Sequence, residues 1–209
     1  MTVIIEMDPA AALLNQAADL HVLLLPGSAI SRLGPAYARS FYRFAAKSRT
    51  ETVFVAAESG RAIGAAVLSI APAQLQRRLA ICTPLIPRML GAPAISVRIL
   101  LAKMFEKLDP SVNSKIPEVI AIFTSQDYQR HGVGAALLRA VEYELRVRGF
   151  SRYNVRTEDT PSNRAVRFYE NQGFERAGHV RTPGVRFLVM VRQTDKTQTS
   201  ARALADRLA

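Results

Sequence analysis

One short stretch of the chain has residue types and a spacing that suit phosphate binding. Gln129, Gly132 and Gly134 form a Gln-x-x-Gly-x-Gly pattern directly before a segment with helical periodicity. A helix N-terminus presents unpaired N–H groups and a partial positive charge, and glycine lets an anion approach the backbone without a Cβ in the way. The pattern therefore predicts an anion-binding loop at the start of a helix.

Two common phosphate loops do not fit this stretch. A Walker A loop ends in Gly-Lys-Ser/Thr, whereas Gly134 is followed by two alanines. A dinucleotide fingerprint needs a third glycine where Leu137 stands, and it opens directly off its strand. Here seven residues separate Thr124 from Gly132. The loop therefore belongs to another class of phosphate site.

The hydrophobic pattern places this loop between a buried strand and an amphipathic helix. Residues 117–124 form a continuous apolar run of strand length, and 132–148 carries one apolar face that ends at Gly149. The resulting order is mixed α/β. Further strands are predicted at 2–7, 52–59, 62–70, 152–157 and 184–192, and further helices at 9–24, 35–47 and 161–172.

A second pattern follows, one strand after the loop. The stretch NRAVRFYENQGFE matches Asn-x-x-Ala-x-x-x-Tyr-x-x-x-Gly-Phe, with the alanine one place early, through Asn163, Ala165, Tyr169, Gly173 and Phe174. Together with the glycine loop, it resembles the GNAT superfamily of acyl-CoA-dependent N-acyltransferases. The resemblance is specific over about 117–192, looser over 1–70 and absent over 71–115. It implies an α/β fold with a central mixed, splayed β-sheet flanked by helices, and a helical insertion between the third and fourth strands.

The resemblance implies that the glycine loop holds the pyrophosphate of acetyl-CoA. Main-chain groups at Ile122, Phe123 and Thr124 would pair with the pantetheine arm, much as an added strand pairs with a sheet edge. Acetyl-CoA is the expected cosubstrate, and no metal is expected. The loop residues expected to contact the cofactor are Gln129, Arg130, His131, Gly132, Val133, Gly134 and Ala135.

The resemblance also implies roles for three side chains. Glu118, fourteen positions before Gly132, is the expected general base acting through water, and a strand-end carboxylate paired with Arg or Lys is the alternative. Tyr169 is the expected general acid for the departing thiolate, and a buried core aromatic is the alternative. Asn163 is expected to contact the cofactor or, alternatively, to cap its helix.

The expected activity is transfer of an acetyl group from acetyl-CoA directly to an amine of a small molecule, for which the layout suggests an amino sugar. The alternatives are protein N-terminal or lysine acetylation and a non-catalytic acyl-CoA-binding module. Cys82, the only cysteine, lacks a His or Asp partner pattern, which argues against a covalent acyl intermediate. A single cysteine also favours a reducing cytoplasm, and the N-terminus has no basic segment typical of a signal peptide.

The charge and the histidines narrow the range of partners. The net charge of +11, from 28 Lys+Arg against 17 Asp+Glu, favours anionic partners. The arginines are dispersed and form no named motif, so no specific nucleic-acid binding is expected. His131 is expected to contribute its backbone, His179 to lie on the surface, and His21 to be an ordinary helix-end histidine, with a place at the acceptor pocket as the alternative.

Residues 71–115 exceed the short turn that joins the same strands in most family members. The segments at about 74–90 and 94–108 are apolar and basic, and a helix over 95–108 would have to bury most of its surface. This apolar surface could be buried in three ways: as a lid over the acceptor pocket, in a homodimer contact, or in peripheral contact with an anionic membrane. The lid is preferred because the insertion leaves the sheet near Glu118. The expected organisation is one acetyltransferase domain over 1–192 and a C-terminal tail over 193–209.

Overall fold

The computed structural model describes residues 3–82, 107–108, 115–182 and 185–194. The strands are β1 (Ile4–Met7), β2 (Glu51–Glu58), β3 (Arg61–Ser69), β4 (Lys107–Leu108), β5 (Glu118–Thr124), β6 (Arg152–Glu158), β7 (Glu175–Thr182) and β8 (Val185–Gln193). The helices are α1 (Ala11–Leu24), α2 (Ala29–Arg32), α3 (Pro35–Lys47), α4 (Pro72–Cys82), α5 (Val133–Val147) and α6 (Arg164–Asn171), with a 3₁₀ turn at Gln126–Tyr128.

All eight strands join one mixed sheet in the order β1-β2-β3-β5-β6-β8-β7-β4. β5 and β6 are parallel, and the other neighbouring strands of the described chain are antiparallel. The β2–β3 hairpin turns at Ser59 and Gly60, where φ is 49° and 75°. A two-residue hairpin loop favours positive φ at both positions, because this twist matches that of the strands.

Two hydrophobic cores cover the two faces of the sheet, which we call the first and second face. On the first face, α5 buries Leu137, Val141 and Leu145 against β2, β3 and β5. On the second face lie α1, α3 and α4, with fully buried residues such as Phe41 of α3. Successive side chains of a strand point to opposite faces, so neighbouring residues belong to different cores. Phe54, for example, belongs to the first core and its neighbour Val53 to the second.

The predicted elements agree with the observed ones to within a few residues, with three exceptions. α2 and β7 have no counterpart among the predictions. The expected helix over 95–108 is wrong at its last two residues, because Lys107 and Leu108 pair with Arg181 and Val180 of β7. The rest of that segment lies outside the described residues. The predicted helical insertion begins as expected, since α4 covers the whole first half of 74–90.

The last strand runs into the expected tail, which was predicted to start at 193. β8 runs to Gln193, and Thr194 donates from its backbone to Ser151 O over 2.8 Å and from Oγ1 to Phe150 O over 2.9 Å. Residues 195–209 lie outside the described part of the chain. Within the ranges that the structure describes, no helix is long and apolar enough to cross a membrane.

Candidate active site

The parallel strands β5 and β6 separate shortly after they meet. Glu118 lies opposite Asn154 and Val119 opposite Val155, and no further β5–β6 pair follows among the described residues of these strands. β5 remains paired with β3 as far as Thr124. The main chain of β5 beyond Val119 therefore presents one edge to a widening gap, which we call the fork. The predicted splayed sheet is confirmed.

A β-bulge lies at the same place. Val67 of β3 opposes Ala121, and Leu68 opposes Val119, which leaves Ile120 as the extra residue on β5. A bulge bends its strand and turns the neighbouring peptide groups. The bulge and the fork together set the direction in which the free edge of β5 points.

The side chains just beyond the bulge are used for packing. Ile122 packs against the first core, and Phe123 is buried in the second. Thr124 ends the strand at the approach to α5, as its Oγ1 would lie 3.8 Å from a Cβ on Gly134. The main chain of these three residues has no β6 partner among the described residues, and its predicted contact with the cofactor stays a prediction.

The glycine loop leads from β5 into α5 with an unusual backbone. Arg130 and Gly132 have φ values of 63° and 79°, a region that few residues other than glycine adopt. The first hydrogen bond of α5 runs from the Ala136 N–H to Gly132 O over 2.9 Å, so the amides of 133–135 have no acceptor within the helix. Left-handed residues beside free amides form an anion-binding concavity. The geometry fits a pyrophosphate.

The remaining loop residues lie at the surface or in the first turn of α5. Gln129 and His131 are exposed, and Nδ1 of His131 lies 2.9 Å from Gln129 O, which fixes the turn between them. Val133 is buried in the first core and anchors the start of α5, with Ala135 in the same turn. The ring of His131 thus makes a contact within the loop.

The two glycines of the loop are needed for different reasons. Gly132 is the residue before α5, and a Cβ there would have no heavy atom within 4 Å, so its positive φ is what favours glycine. A Cβ on Gly134 would lie 3.1 Å from Cζ of Phe168. Gly134 therefore lets α5 and α6 approach each other, which is a packing role in addition to the expected one.

Asn163 caps α6 with its side chain. Its Oδ1 accepts from the Ala165 N–H over 3.0 Å, while Nδ2 donates to Thr157 Oγ1 over 2.7 Å and to Glu158 O over 2.6 Å. The same amide thus starts the helix and fastens it to β6. The capping alternative is present in the structure, and the expected cofactor contact stays a prediction.

Tyr169 lies in the first core, where α6 meets α5. Its ring centroid is 5.3 Å from those of both Phe168 and Phe174, and the residue is 6% exposed. Burial raises the pKa of the Tyr169 phenol above its ordinary value. The hydroxyl is therefore protonated at neutral pH, which a general acid requires.

Glu118 lies on the second face, because the next residue, Val119, packs into the first core. The residue is 7% exposed, and Oε2 lies 3.1 Å from Nη2 of Arg156 on β6. The ion pair that the sequence analysis offered as an alternative therefore exists. It places a carboxylate beside the fork, so pairing and a role as base are compatible.

The three histidines lie apart. His21 is 1% exposed in α1, between Tyr42 Oη at 3.0 Å from Nδ1 and Ser28 Oγ at 2.9 Å from Nε2. It is thus a buried histidine bonded to two hydroxyls. Nε2 of His179 lies 3.2 Å from Asp159 on a half-buried surface. Among the residues described, no three His, Cys, Asp or Glu side chains are grouped so that they could hold a metal ion.

The residues of β6 that face Glu118 carry no signal in the sequence that singles them out. Arg156 and Asn154 lie on the second face beside it, although both were read only as part of a strand. The alternation of polar and apolar residues in RYNVRT marks them as one face. Only the parallel register shows which residue they meet.

The comparisons with known proteins agree with this geometry. The sequence model of the Acetyltransferase (GNAT) family matches residues 19–174, a span that holds the fork, the glycine loop and α6. The chain belongs to this family and is an acyl-CoA-dependent N-acetyltransferase. None of the curated proteins matches the chain in sequence.

Solved structures share the fold over nearly the whole chain. An aminoglycoside 6′-N-acetyltransferase complexed with coenzyme A has a TM-score of 0.62 at 11% identity, covering 93% of this chain and 98% of that one. The ribosomal-protein-S18-alanine N-acetyltransferase from Escherichia coli has a TM-score of 0.54 at 17% identity, covering 94% and 96%. An N-acetyltransferase from Staphylococcus aureus Mu50 has a TM-score of 0.58 at 11% identity, covering 93% and 100%. At these identities the likeness shows the fold alone.

Proposed function

We propose that this protein transfers the acetyl group of acetyl-CoA directly to the amine of a small molecule. The observation that carries the proposal is the fork, which opens one residue pair beyond Glu118 and is followed at the far end of β5 by the glycine loop. One strand thus joins a candidate base to a candidate pyrophosphate site.

The described residues fit acetyl-CoA along this line. The free edge of β5 at Ile122, Phe123 and Thr124 would pair with the pantetheine amides, and the amides from Arg130 to Ala135 would bind the pyrophosphate. Acetyl-CoA supplies a thioester whose carbonyl carbon the amine attacks. The sheet edge and the loop bind and orient that group, which removes much of the entropic barrier of a reaction between two molecules.

Glu118 would remove the proton that the amine must lose. A lysine-like amine with a pKa of about 10.4 is mostly protonated at pH 7, and making it neutral costs about 4.6 kcal/mol. An α-amino group with a pKa near 7.8 requires only about 1 kcal/mol. Arg156 holds the Glu118 carboxylate in place from the neighbouring strand. The carboxylate would act through a water molecule.

Tyr169 would donate the proton that the leaving sulfur needs. A carbon–nitrogen bond forms as the carbon–sulfur bond breaks, and the departing sulfur takes the phenolic proton. The extra proton on the attacking nitrogen leaves to water, and a proton from the solvent restores the phenol. The Tyr169 phenol is a weaker acid than the thiol that forms, so its position in the packed first core matters as much as its acidity.

The second face favours a small acceptor. α4 packs Leu75 and Leu79 into the second core, and Arg78 forms an ion pair with the buried Glu51. A helix anchored in this way narrows the approach to Glu118 for a bulky protein substrate. An amino sugar or a related amine fits this better than a protein chain. The aminoglycoside enzyme of the same fold carries the same suggestion, and protein acetylation is the second candidate because the S18-alanine enzyme shares the fold as well.

A screen of amine acceptors with acetyl-CoA, read as release of free thiol, tests the proposed function. We expect turnover with small amines, amino sugars among them, and less with lysine-bearing peptides. If no amine raises thiol release above the rate of acetyl-CoA alone, while calorimetry shows that acetyl-CoA binds, the chain acts as an acyl-CoA-binding module instead.

Glu118→Gln tests the proposed base. We expect the acidic limb of the pH–rate profile to disappear and kcat to fall by about 10²–10⁴-fold, because proton transfer loses its acceptor. Arg156→Gln is the matched control, since it breaks the same ion pair and leaves the carboxylate. Equal effects of the two variants on the pH profile would mean that Glu118 serves only the ion pair.

Tyr169→Phe tests the proposed acid. We expect kcat to fall by about 10–1,000-fold with little change in the KM for acetyl-CoA, because the ring and its packing remain. Tyr42→Phe is the control, as it removes an equally buried hydroxyl from the second core. The control should lose stability and keep its kcat, and an unchanged kcat in Tyr169→Phe would leave Tyr169 a core residue.

A further inference from the structure

A row of buried polar side chains crosses the second face at the fork. The strand register places Glu51 opposite Ser69, Ser69 opposite Glu118, and Glu118 opposite Asn154. All four residues are buried, and Asn154 is 2% exposed. We call these residues, one each from β2, β3, β5 and β6, the polar row. Four neighbouring polar positions inside a sheet face are unusual, because buried polar groups must be hydrogen-bonded to be tolerated.

Three members of the polar row have partners. Ser69 Oγ donates to Oε1 of Glu51 over 2.7 Å, and the same carboxylate pairs with Arg78 of α4. Glu118 pairs with Arg156 at 3.1 Å. Two carboxylates are thus matched by two guanidinium groups, and the formal charges of these four side chains cancel.

Asn154 is the exception. Its Oδ1 is fully buried and has no hydrogen-bond partner among the residues that the structure describes. A buried carbonyl oxygen without a donor is unfavourable, and in functional sites such a group often awaits a ligand. Solvent reaches the same face two residues further along β6, where the Arg156 side chain is 23% exposed. The strand register puts Asn154 beside Glu118, at the base of the fork.

We propose that Oδ1 of Asn154 binds the acceptor by accepting a hydrogen bond from its amine, which holds the nitrogen beside Glu118. The proposal rests on the proposed function and deepens it. Because the surrounding charges cancel and the site is buried, it favours a neutral amine over an ammonium ion, whose desolvation is unfavourable. The acceptor class is therefore an amine of low basicity, such as an α-amino group with a pKa of about 7.7–8.0, and not a lysine-like amine.

Asn154→Leu tests this assignment, because leucine has the same number and branching of side-chain heavy atoms and cannot accept a hydrogen bond. The acceptors used are glycinamide, glucosamine and n-butylamine. We expect the wild-type protein to prefer the first two. In the variant we expect the acceptor KM to rise by about tenfold or more, with the affinity for acetyl-CoA unchanged by calorimetry. Tm should stay the same or rise, since an unpaired buried polar group has been removed.

Ser69→Ala is the matched control from the same row. Its hydroxyl is already bonded to Glu51, so its loss should lower Tm and leave the acceptor KM unchanged. A lower Tm in Asn154→Leu would show that the amide is needed for the fold, and an unchanged acceptor KM would show that it does not bind the amine. Either result overturns the inference. The proposed function still stands if the wild-type protein acetylates an amine. If the wild-type protein acetylates no amine, the proposed function fails and the inference fails with it.

Discussion

At the scale of single residues, the site depends on backbone conformation as much as on side chains. Gly132 precedes α5 with a φ of 79°, and Arg130 has a positive φ without being glycine. Such residues are held by the surrounding structure and concentrate at ligand sites. Here they turn the loop so that the first amides of α5 face outward together.

Gly132 also allows a test of the pyrophosphate site that separates charge from shape. Asn and Asp both tolerate positive φ, and a Cβ at this position has open space. Gly132→Asn and Gly132→Asp should therefore have similar Tm values. If the pyrophosphate lies here, the Asp variant should bind acetyl-CoA about tenfold or more weakly than the Asn variant, because two negative charges repel. Equal affinities by calorimetry would place the anion elsewhere.

His21 is expected to make stability depend on pH. Burial lowers its pKa to about 4 from the ordinary value of 6.5. Above pH 6.5 the ring is neutral in both the folded and the unfolded state. As pH falls from 6.5 towards 4, the unfolded chain binds a proton that the folded protein excludes, so stability is lost over this window. The expected loss from pH 8 to pH 5 is about 2 kcal/mol.

His21→Gln keeps a polar side chain and cannot titrate in this range, so it is the variant to compare. Urea unfolding at pH 8 and pH 5 measures the free energy of unfolding of both proteins. The variant should be less stable at pH 8, because the bonds to Tyr42 and Ser28 are disturbed. Between pH 8 and pH 5, the free energy of unfolding of the variant should fall by about 2 kcal/mol less than that of the wild-type protein. Equal losses in the two proteins would contradict a neutral His21.

At the scale of elements, β5 positions most of the site. It carries Glu118, the bulge and the free edge of the fork, and it leads into the glycine loop. Gly64 of β3 holds it closely, since a Cβ there would lie 2.7 Å from Phe123 O. A larger residue would push the end of β5 towards the fork. Glycine at position 64 therefore allows β3 and β5 to stay paired as far as Thr124.

The insertion between β3 and β5 is the second element that matters for function. α4 lies on the second face, anchored by Leu75, Leu79 and the Arg78–Glu51 pair, while β4 pairs with β7 at the other side of the sheet. The two described ends of the insertion therefore lie on opposite sides of the fork. The lid, the dimer contact and the membrane contact stay predictions, because residues 83–106 lie outside the described part of the chain.

Replacing 83–106 with a short Gly-Ser linker, with α4 retained, tests the lid. We expect acetyl-CoA binding to persist and amine turnover to be lost, because the acceptor side of the fork would be open to water. Light scattering and co-sedimentation with anionic liposomes accompany the assay. Full turnover in a variant that has become monomeric would favour the dimer contact, and loss of lipid binding with full turnover would favour the membrane contact.

At the scale of the whole molecule, a large excess of positive charge accompanies balanced charges on the described second face. The net charge is +11, and Arg78 and Arg156 on that face are each paired with a carboxylate. These two ion pairs are neutral as a group. A net charge of +11 favours association with anions such as a phosphorylated cofactor, and we expect the affinity for acetyl-CoA to fall as salt is added.

The sequence by itself determined most of the elements and the position of the glycine loop. Hydrophobic periodicity and glycine positions are local signals, so β5, α5 and the turn at Gly149 were predicted closely. β7 was missed because only Val180 of its eight residues is buried, which leaves too little apolar alternation to detect. Local pattern therefore finds elements with a buried face and misses polar strands near the edge of a sheet.

The tertiary structure alone decided how these elements meet. Strand register decides where β5 and β6 separate and which residue lies opposite Glu118. A contact between two helices decides that Gly134 packs against Phe168. Both depend on distant parts of the chain. Register shifts by one residue exchange the faces of a strand, and no local pattern in β6 shows which residue its neighbour supplies. The motif residues could be read from the sequence, but Asn154 and Arg156 became visible only when the sheet placed them beside Glu118.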